Sequence, residues 1–184
     1  LPISYIYGQS GDGVSTLHLK LFVRGDFIPL SDCLPVFEYL GLKVIAEDAF
    51  SLMPLTAGGK KQHVALQNIL MERADGAPTD LERLKPLLED AFHAVWAGRA
   101  ESDGFNRLVV AASMPWRDIV ILRAVAKYLR QAGVTFSQTY IENALAKYPA
   151  IAIRLVALYR KLHDPDFGRA DAERTNEAVN IRKE

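Results

Sequence analysis

The sequence of 184 residues contains one cysteine, four histidines and no net charge. Cys33 alone excludes an intrachain disulfide and a cysteine-based zinc site. The histidines are scattered, with no pair four residues apart, so we predict no metal site. Basic and acidic residues number 22 each, so no overall electric field attracts nucleic acid or an anionic membrane.

Long hydrophobic runs are also missing. No stretch of about 18 apolar residues occurs, and the start at Leu1 has neither a basic region nor a continuous apolar region typical of a signal peptide. We therefore expect no membrane span and no secretion, and predict a cytoplasmic protein. The chain begins with Leu1 and stops at Glu184 within a polar stretch, which favours a piece of a longer polypeptide.

What the sequence does contain is typical of a globular protein. Apolar residues make up 49% and charged residues 24%, which excludes intrinsic disorder and low-complexity classes. The length is sufficient to bury a core and corresponds to one domain or two small ones.

The first part of the chain shows the alternation of strands. Residues 15–24 place apolar side chains at every second position, which predicts a half-buried strand. Residues 3–7 alternate as well, and the glycine-rich run 8–13 predicts a turn. The two strands are therefore expected to form a hairpin.

A helix and two further strands follow. Ser31 is the predicted cap of a helix over residues 32–40, and Gly41 is its predicted stop. Residues 42–52 and 63–71 are predicted strands on either side of a loop.

The next helix is indicated by a capping box. Thr79 and Glu82 have the spacing of this motif, and apolar residues at helical spacing continue to Val95. Pro86 is expected to kink the helix or delay its start. Residues 1–100 thus predict an α+β module, with an antiparallel sheet covered by helices on one face.

Residues 104–163 predict an all-helical motif. The first helix ends at Gly133, the second begins from a cap at Ser137 or Thr139, and the third follows Pro149. Because these helices cannot bury their apolar stripes alone, they are expected to pack on one another or on the sheet module. The predicted stripe of the third helix consists of Ile151, Leu155, Leu158 and Leu162.

The remaining residues, 164–184, predict a polar linker or the start of a truncated helix.

Charge is distributed unevenly along the chain. Residues 72–104 hold eight acids and four bases, whereas residues 114–163 hold eight bases and two acids. Arg123, Lys127 and Arg130 form a basic stripe at helical spacing. We expect this stripe to contact protein, either the acidic segment or a neighbouring domain; the alternative is a solvated helix face.

Two patterns are similar to a dinucleotide-binding and a DNA-binding motif, but each lacks a defining feature of its motif. The glycine-rich run 8–13 precedes a strand, whereas a dinucleotide fingerprint opens a helix. Residues 116–147 have the order of a helix-turn-helix motif, but the second helix offers only Gln138, Asn143 and the single charge of Lys147. We expect no nucleic acid partner, and keep a freestanding interaction or DNA-binding module as the alternative function.

Several stretches of this chain resemble one family. Residues 29–45 read PLSDCLPVFEYLGLKVI, and residues 92–166 contain AVWAGRAESDGFNRLV, WRDIVILRAVAKYLRQ and FSQTYIENALAKYPAIA. These stretches resemble the large bacterial NAD-specific glutamate dehydrogenases. The resemblance places the first stretch in the last of several ACT-type regulatory modules and the others in a helical motif leading to the catalytic region.

The resemblance carries expectations about fold and function. An ACT-like module has a closing strand that is missing after Val95, and residues 3–7 are expected at that sheet edge. The parent enzyme would deaminate L-glutamate oxidatively to 2-oxoglutarate and ammonia with NAD. Its glutamate pocket and dinucleotide fold would follow Glu184, so this segment is expected to carry no catalytic residue, cofactor or metal.

The resemblance also implies partners. These are the catalytic domain and other subunits of a homo-oligomeric enzyme. In ACT-like modules the loop after the first strand carries the ligand site, which points to Arg24, Gly25, Asp26 and Phe27 as the place for a small amino-acid effector. Gly25 would allow a close approach of the backbone.

Overall fold

A computed structural model describes residues 3–11, 14–163 and 180. The prediction for residues 164–184 therefore lies outside the described residues, apart from Asn180. The strands and helices are, in chain order, β1 (Ile3–Gly11), β2 (Val14–Arg24), α1 (Leu30–Tyr39), β3 (Leu42–Leu52), β4 (Val64–Arg73), α2 (Leu81–Trp96), a 3₁₀ helix (Gly104–Arg107), α3 (Leu108–Ala111), α4 (Trp116–Gln131), α5 (Gln138–Lys147) and α6 (Pro149–His163).

The four strands form one antiparallel sheet in the order β1-β2-β4-β3. The predicted hairpin is confirmed, because β1 pairs with β2 from Ile3 opposite Phe22 to Gly11 opposite Val14. The expectation that residues 3–7 lie at a sheet edge is also confirmed, because β1 is the edge strand beside β2. The predicted turn over residues 8–13 is wrong for Gly8–Gly11, since ladder pairing continues through these residues.

One face of the sheet is buried against α1 and α2. Leu17, Leu19 and Leu21 of β2 are at most 1% exposed, and Ile69 and Met71 of β4 are buried on the same face. The alternation of strand side chains thus separates a core face from a more open one. The α+β architecture with ACT-like order is confirmed.

The start of α1 differs from the prediction. Pro29 occupies the N-cap position, and the Asp32 N–H donates to its carbonyl at 2.9 Å. Ser31 is not the cap, because it is the second residue of α1. Its hydroxyl donates to the Asp32 side chain instead. The fixed φ of proline at the helix boundary accounts for the earlier start. Gly41 does end the helix, with a φ of +84°.

The start of α2 also differs. Asp80 is the cap, since its carboxylate accepts from the Arg83 N–H at 3.3 Å, so the capping box with Thr79 is wrong. An Asp one position later offers an ionised acceptor to the first turn, which outcompetes a threonine hydroxyl. Pro86 lies in the second turn and does not delay the start at Leu81.

The three helices predicted after residue 104 correspond to α4, α5 and α6, whereas the short 3₁₀ helix and α3 that precede them were not predicted. Ser137 caps α5, accepting from the Tyr140 N–H at 3.1 Å. Within the described part of the chain, no helix is long and apolar enough to cross a bilayer.

The predicted buried stripe of α6 is wrong. Ala152 and Val156 face the core, at 0% and 4% exposure, whereas Ile151 and Leu155 are 51% and 43% exposed. Two contacts explain this rotation. Small Ala152 permits close helix packing, and Arg160, on the same side, pairs with buried Asp118 of α4.

The core is continuous between the sheet module and the helices. Phe37 and Phe92 stack at 5.6 Å between ring centroids beneath the sheet, and the same cluster extends through Phe105 to Ile119. The ACT-like part and the helical motif therefore share one hydrophobic core.

Candidate functional site

The structure gathers polar side chains where the ACT-like part meets the helical motif. Arg123 of α4 is only 4% exposed. Its Nε donates to Asp103 Oδ2 at 2.7 Å and its Nη2 to Asp103 Oδ1 at 2.8 Å, while Nη2 also donates to Asn106 Oδ1 at 2.8 Å. This is a buried bidentate ion pair with an additional hydrogen bond, the geometry for which a guanidinium is suited.

The loop before the 3₁₀ helix is folded around this arginine. Asp103 also caps that helix by accepting from the Phe105 N–H at 3.1 Å, and Asn106 Nδ2 donates to the Glu101 carbonyl at 2.8 Å. The Glu101 carboxylate accepts from Lys127 Nζ at 2.6 Å. We call Glu101, Asp103, Asn106, Arg123 and Lys127 the junction network.

A tryptophan reinforces the same connection. The indole of Trp116, the first residue of α4, donates to Asp90 Oδ2 of α2 at 2.8 Å. The guanidinium carbons of Arg117 and Arg99 lie 4.6 and 5.7 Å from its ring centroid. The buried ring thus joins α2 to α4 by packing, by a charge-assisted hydrogen bond and by cation–π contacts.

Helix α5 approaches the loop closely at a glycine. A Cβ on Gly104 would lie 2.4 Å from Glu142 Oε2 and 2.9 Å from its Cδ, so a side chain there would displace Glu142. Glu142 is 6% exposed, and its Oε1 accepts from Gln138 Nε2 at 2.8 Å. Gly104 therefore permits the docking of α5.

The predicted basic stripe does not form one exposed face. Arg123 is buried in the junction network, Lys127 contacts Glu101, and Arg130 is exposed beside an open cleft of about 510 Å³. Asp103 and Glu101 both belong to the acidic segment 72–104, which is one of the two contacts expected for the stripe. Two of the three bases thus contact the acidic segment of the chain itself, and a contact of Arg130 with protein stays a prediction.

The same contacts bear on the helix-turn-helix alternative. Gln138 donates to Glu142, and Asn143 Oδ1 accepts from Arg107 Nη1 at 2.7 Å. The two residues that would contact bases are therefore engaged within the chain. The structure does not support the DNA-binding alternative.

The predicted effector loop has a fixed backbone and exposed side chains. Gly25 has a φ of +93° and its N–H donates to the His63 carbonyl at 3.1 Å. Arg24, Asp26 and Phe27 are exposed. The structure does not show a ligand role for these four residues, which stays a prediction.

This loop is anchored by Gln67, a residue that the sequence analysis did not identify. Gln67 of β4 is 1% exposed, accepts from the Ile28 N–H at 3.0 Å and donates to its carbonyl at 2.8 Å. Its Nε2 also donates to Glu47 Oε1 at 2.6 Å. A polar side chain at an inward-facing strand position was the signal that could have identified it, since such groups are buried only with partners.

Two observations concern metal and nucleotide binding. Among the residues that the structure describes, no three His, Cys, Asp or Glu side chains stand together to hold a metal. Gly8 and Gly11 of the glycine-rich run lie in β1, paired with β2, and not at the start of a helix.

The fold and the junction together define an ACT-like domain joined to a helical motif. The family described as glutamate dehydrogenase ACT3 domain matches residues 4–84, and that described as glutamate dehydrogenase helical motif 3 matches residues 100–165. The chain therefore belongs to the NAD-specific glutamate dehydrogenase family, as a segment that carries these two parts.

Three relatives are named NAD-specific glutamate dehydrogenase. The protein of Halomonas elongata is 37% identical over 165 residues, which is 90% of this chain and 10% of the relative. The proteins of Pseudomonas aeruginosa and Mycobacterium tuberculosis are 38% and 36% identical, each over 84% of this chain and over 9% and 10% of their own lengths. The chain thus spans about a tenth of the length of the curated relatives it matches.

Proposed function

We propose that this chain is a non-catalytic regulatory and architectural segment of an NAD-specific glutamate dehydrogenase. The longer polypeptide would deaminate L-glutamate oxidatively to 2-oxoglutarate and ammonia with NAD, in the cytoplasm. The observation that carries the proposal is the junction network, in which Arg123 ties the loop after the ACT-like part to α4. Packed interfaces of this kind have discrete arrangements, so a displacement of one part is transmitted to the other.

In this proposal, catalysis and NAD binding belong to other parts of the polypeptide. The placement of Gly8 and Gly11 in a paired strand supports this, because a phosphate-binding glycine turn needs free backbone N–H groups before a helix. The partners are the catalytic domain and other subunits of a homo-oligomer.

The loop of Arg24, Gly25, Asp26 and Phe27 is the proposed place for a small amino-acid effector. The anchored Ile28 supports it, since the loop is held against β4 before any ligand binds. Titration of the chain with glutamate, aspartate and branched-chain amino acids should shift the amide resonances of residues 24–28 and leave those of α6 unchanged. Unmoved resonances of the loop at millimolar ligand would contradict an effector site in this chain.

The functional test uses the full-length polypeptide that contains this chain. We expect it to reduce NAD in the presence of glutamate, and the 184-residue chain alone to show no such activity. In the full-length protein, Arg123→Lys keeps the charge but loses the bidentate fork, and should alter kcat or the glutamate dependence of the rate.

The matched control is Arg83→Lys, which changes an exposed arginine of α2 and should leave the kinetics unchanged. Glutamate-dependent NAD reduction by the isolated chain, or kinetics of Arg123→Lys equal to those of the control, would contradict the proposal.

A further inference from the structure

An open cleft of about 510 Å³ lies where α4 ends and the chain turns towards α5. Lys127, Arg130 and Gln131 line it from α4, and residues 134–137 line it from the connecting loop. We call it the α4–α5 cleft. Small-molecule sites have volumes of about 300–1,000 Å³, whereas a stable protein contact buries about 800 Å² of each partner. The size of the α4–α5 cleft therefore favours a small molecule as its occupant.

The charge of the α4–α5 cleft comes mainly from Arg130. Its side chain is exposed and, within the described part of the chain, forms no salt bridge. Lys127 contributes less, because its ammonium group is already paired with Glu101 at 2.6 Å. Among the described residues that line the cleft, none is acidic. An anionic group beside Arg130 would therefore gain a cationic partner without displacing a carboxylate.

The α4–α5 cleft also presents an aromatic ring. Phe136 is 54% exposed and stacks on Tyr140, with 4.9 Å between the ring centroids and 20° between the ring planes. This stack limits the rotation of the Phe136 ring, so less conformational freedom is lost when a ligand packs against it. Val134 adds apolar surface to the lining. The cleft thus combines an unpaired cation with a restrained aromatic ring.

We propose that the α4–α5 cleft binds a small aromatic molecule that carries an anionic group. The ring of this ligand would pack on Phe136, while its carboxylate or phosphate would meet Arg130. Gln131 and Thr135 supply an amide and a hydroxyl for polar substituents of the ligand. This inference goes beyond the proposed function, because it assigns a ligand to residues outside the loop of residues 24–28.

The test compares two aromatic anions with counterparts that lack either the charge or the ring. The aromatic anions are adenosine monophosphate and phenylacetate. Adenosine and phenylacetamide lack the charge, and inorganic phosphate and acetate lack the ring. Each compound is titrated into the 184-residue chain and followed by the amide resonances of residues 130–137.

At least one aromatic anion should shift these resonances and bind about 10-fold or more tightly than both of its counterparts. Binding of adenosine monophosphate would identify the ligand as an aromatic phosphate, and binding of phenylacetate would identify it as an aromatic carboxylate.

The chain offers two matched pairs of variants. Arg130→Gln should weaken binding of the aromatic anion by about 10-fold or more, and Arg83→Gln, at an exposed position of α2, by less than about 2-fold. Phe136→Leu should weaken binding by about 5-fold or more, and Phe50→Leu by less than about 2-fold. Phe50 lies on β3 and has a similar exposure of 51%. Circular dichroism of each variant verifies that the fold is retained.

Three outcomes would overturn the proposal. They are unmoved resonances of residues 130–137 with both aromatic anions, the failure of both to bind more tightly than their counterparts, and equal losses within either pair of variants. Binding no tighter than that of inorganic phosphate or acetate would indicate an adventitious ion only.

Discussion

Arg123 is the most buried charged residue of the junction network. Its charge is buried, and the neutralising carboxylate of Asp103 has a side-chain exposure of only 14%. Removing one partner of a buried pair leaves the other uncompensated, which costs far more than the loss of a surface contact.

We predict that Arg123→Gln destabilises the chain by about 3 kcal/mol, the range for breaking a buried pair. Arg130→Gln, on the exposed side of the same helix, should change the free energy of unfolding by less than about 0.5 kcal/mol. Urea denaturation of both variants gives the comparison. Equal stability of the two variants would mean that the ion pair of Arg123 contributes nothing to the junction.

The buried thiol of Cys33 should make the free energy of unfolding fall at alkaline pH. Burial raises the pKa of its thiol from an ordinary value of 9.0 to about 11. Above pH 9 the unfolded chain loses this proton while the folded chain keeps it. The stability that the folded chain gains by keeping this thiol protonated is therefore fully present below about pH 9. It is lost as the pH rises towards about 11.

We expect the free energy of unfolding to fall across this interval by up to about 3 kcal/mol, at about 1.4 kcal/mol per unit of pKa difference. Because tyrosines and lysines also titrate there, the quantity to compare is the slope in the wild-type chain against that in Cys33→Ala. Identical slopes would show that the thiol is not desolvated.

At the scale of elements, alternation and spacing predicted the strands and helices but not the exact starts of α1 and α2. Leu42–Leu52 has the predicted bounds, although a register shift between Val44 and Ala46 interrupts the predicted alternation of its side chains. The start of each helix depends on which of several neighbouring residues occupies the N-cap position. That residue is Pro29 for α1 and Asp80 for α2.

The orientation of α6 and most of the candidate site could not be predicted from the sequence, for a different reason. Two apolar sides of α6 compete for the core, and the close packing at Ala152 together with the contact of Arg160 with Asp118 favours one of them. Likewise, the pairing of Arg123 with Asp103 joins residues 20 positions apart through the path of the chain. Such pairings arise from tertiary structure and not from periodicity.

A pair of substitutions tests the orientation of α6. Ala152 is fully buried and Ala150 is exposed, two residues apart on the same helix. Ala152→Leu should destabilise the chain by about 1–3 kcal/mol through overpacking, whereas Ala150→Leu should be close to neutral. The difference is measurable as a fall in melting temperature. A larger loss for Ala150→Leu would indicate that α6 is rotated relative to the described packing.

At the scale of the whole molecule, the ACT-like part and the helical motif share a core and a polar junction. The proposed regulatory role requires this coupling, since a module that unfolded or moved independently would transmit little to a catalytic region. Two parts that were not coupled would unfold as separate cooperative units with different stabilities.

The two tryptophans lie on different helices, and Trp116 also contacts Asp90 of α2. Trp96 ends α2 of the ACT-like part and Trp116 begins α4 of the helical motif. In Trp96→Phe the fluorescence therefore follows the helical motif, and in Trp116→Phe it follows the ACT-like part, while far-ultraviolet circular dichroism follows both.

The most direct test of the coupling is urea unfolding of these two variants by both methods. We predict a single transition in each variant, with the same midpoint by fluorescence and by circular dichroism. A biphasic circular dichroism curve, in which fluorescence follows only one phase, would contradict the central claim that the two parts form one cooperative unit.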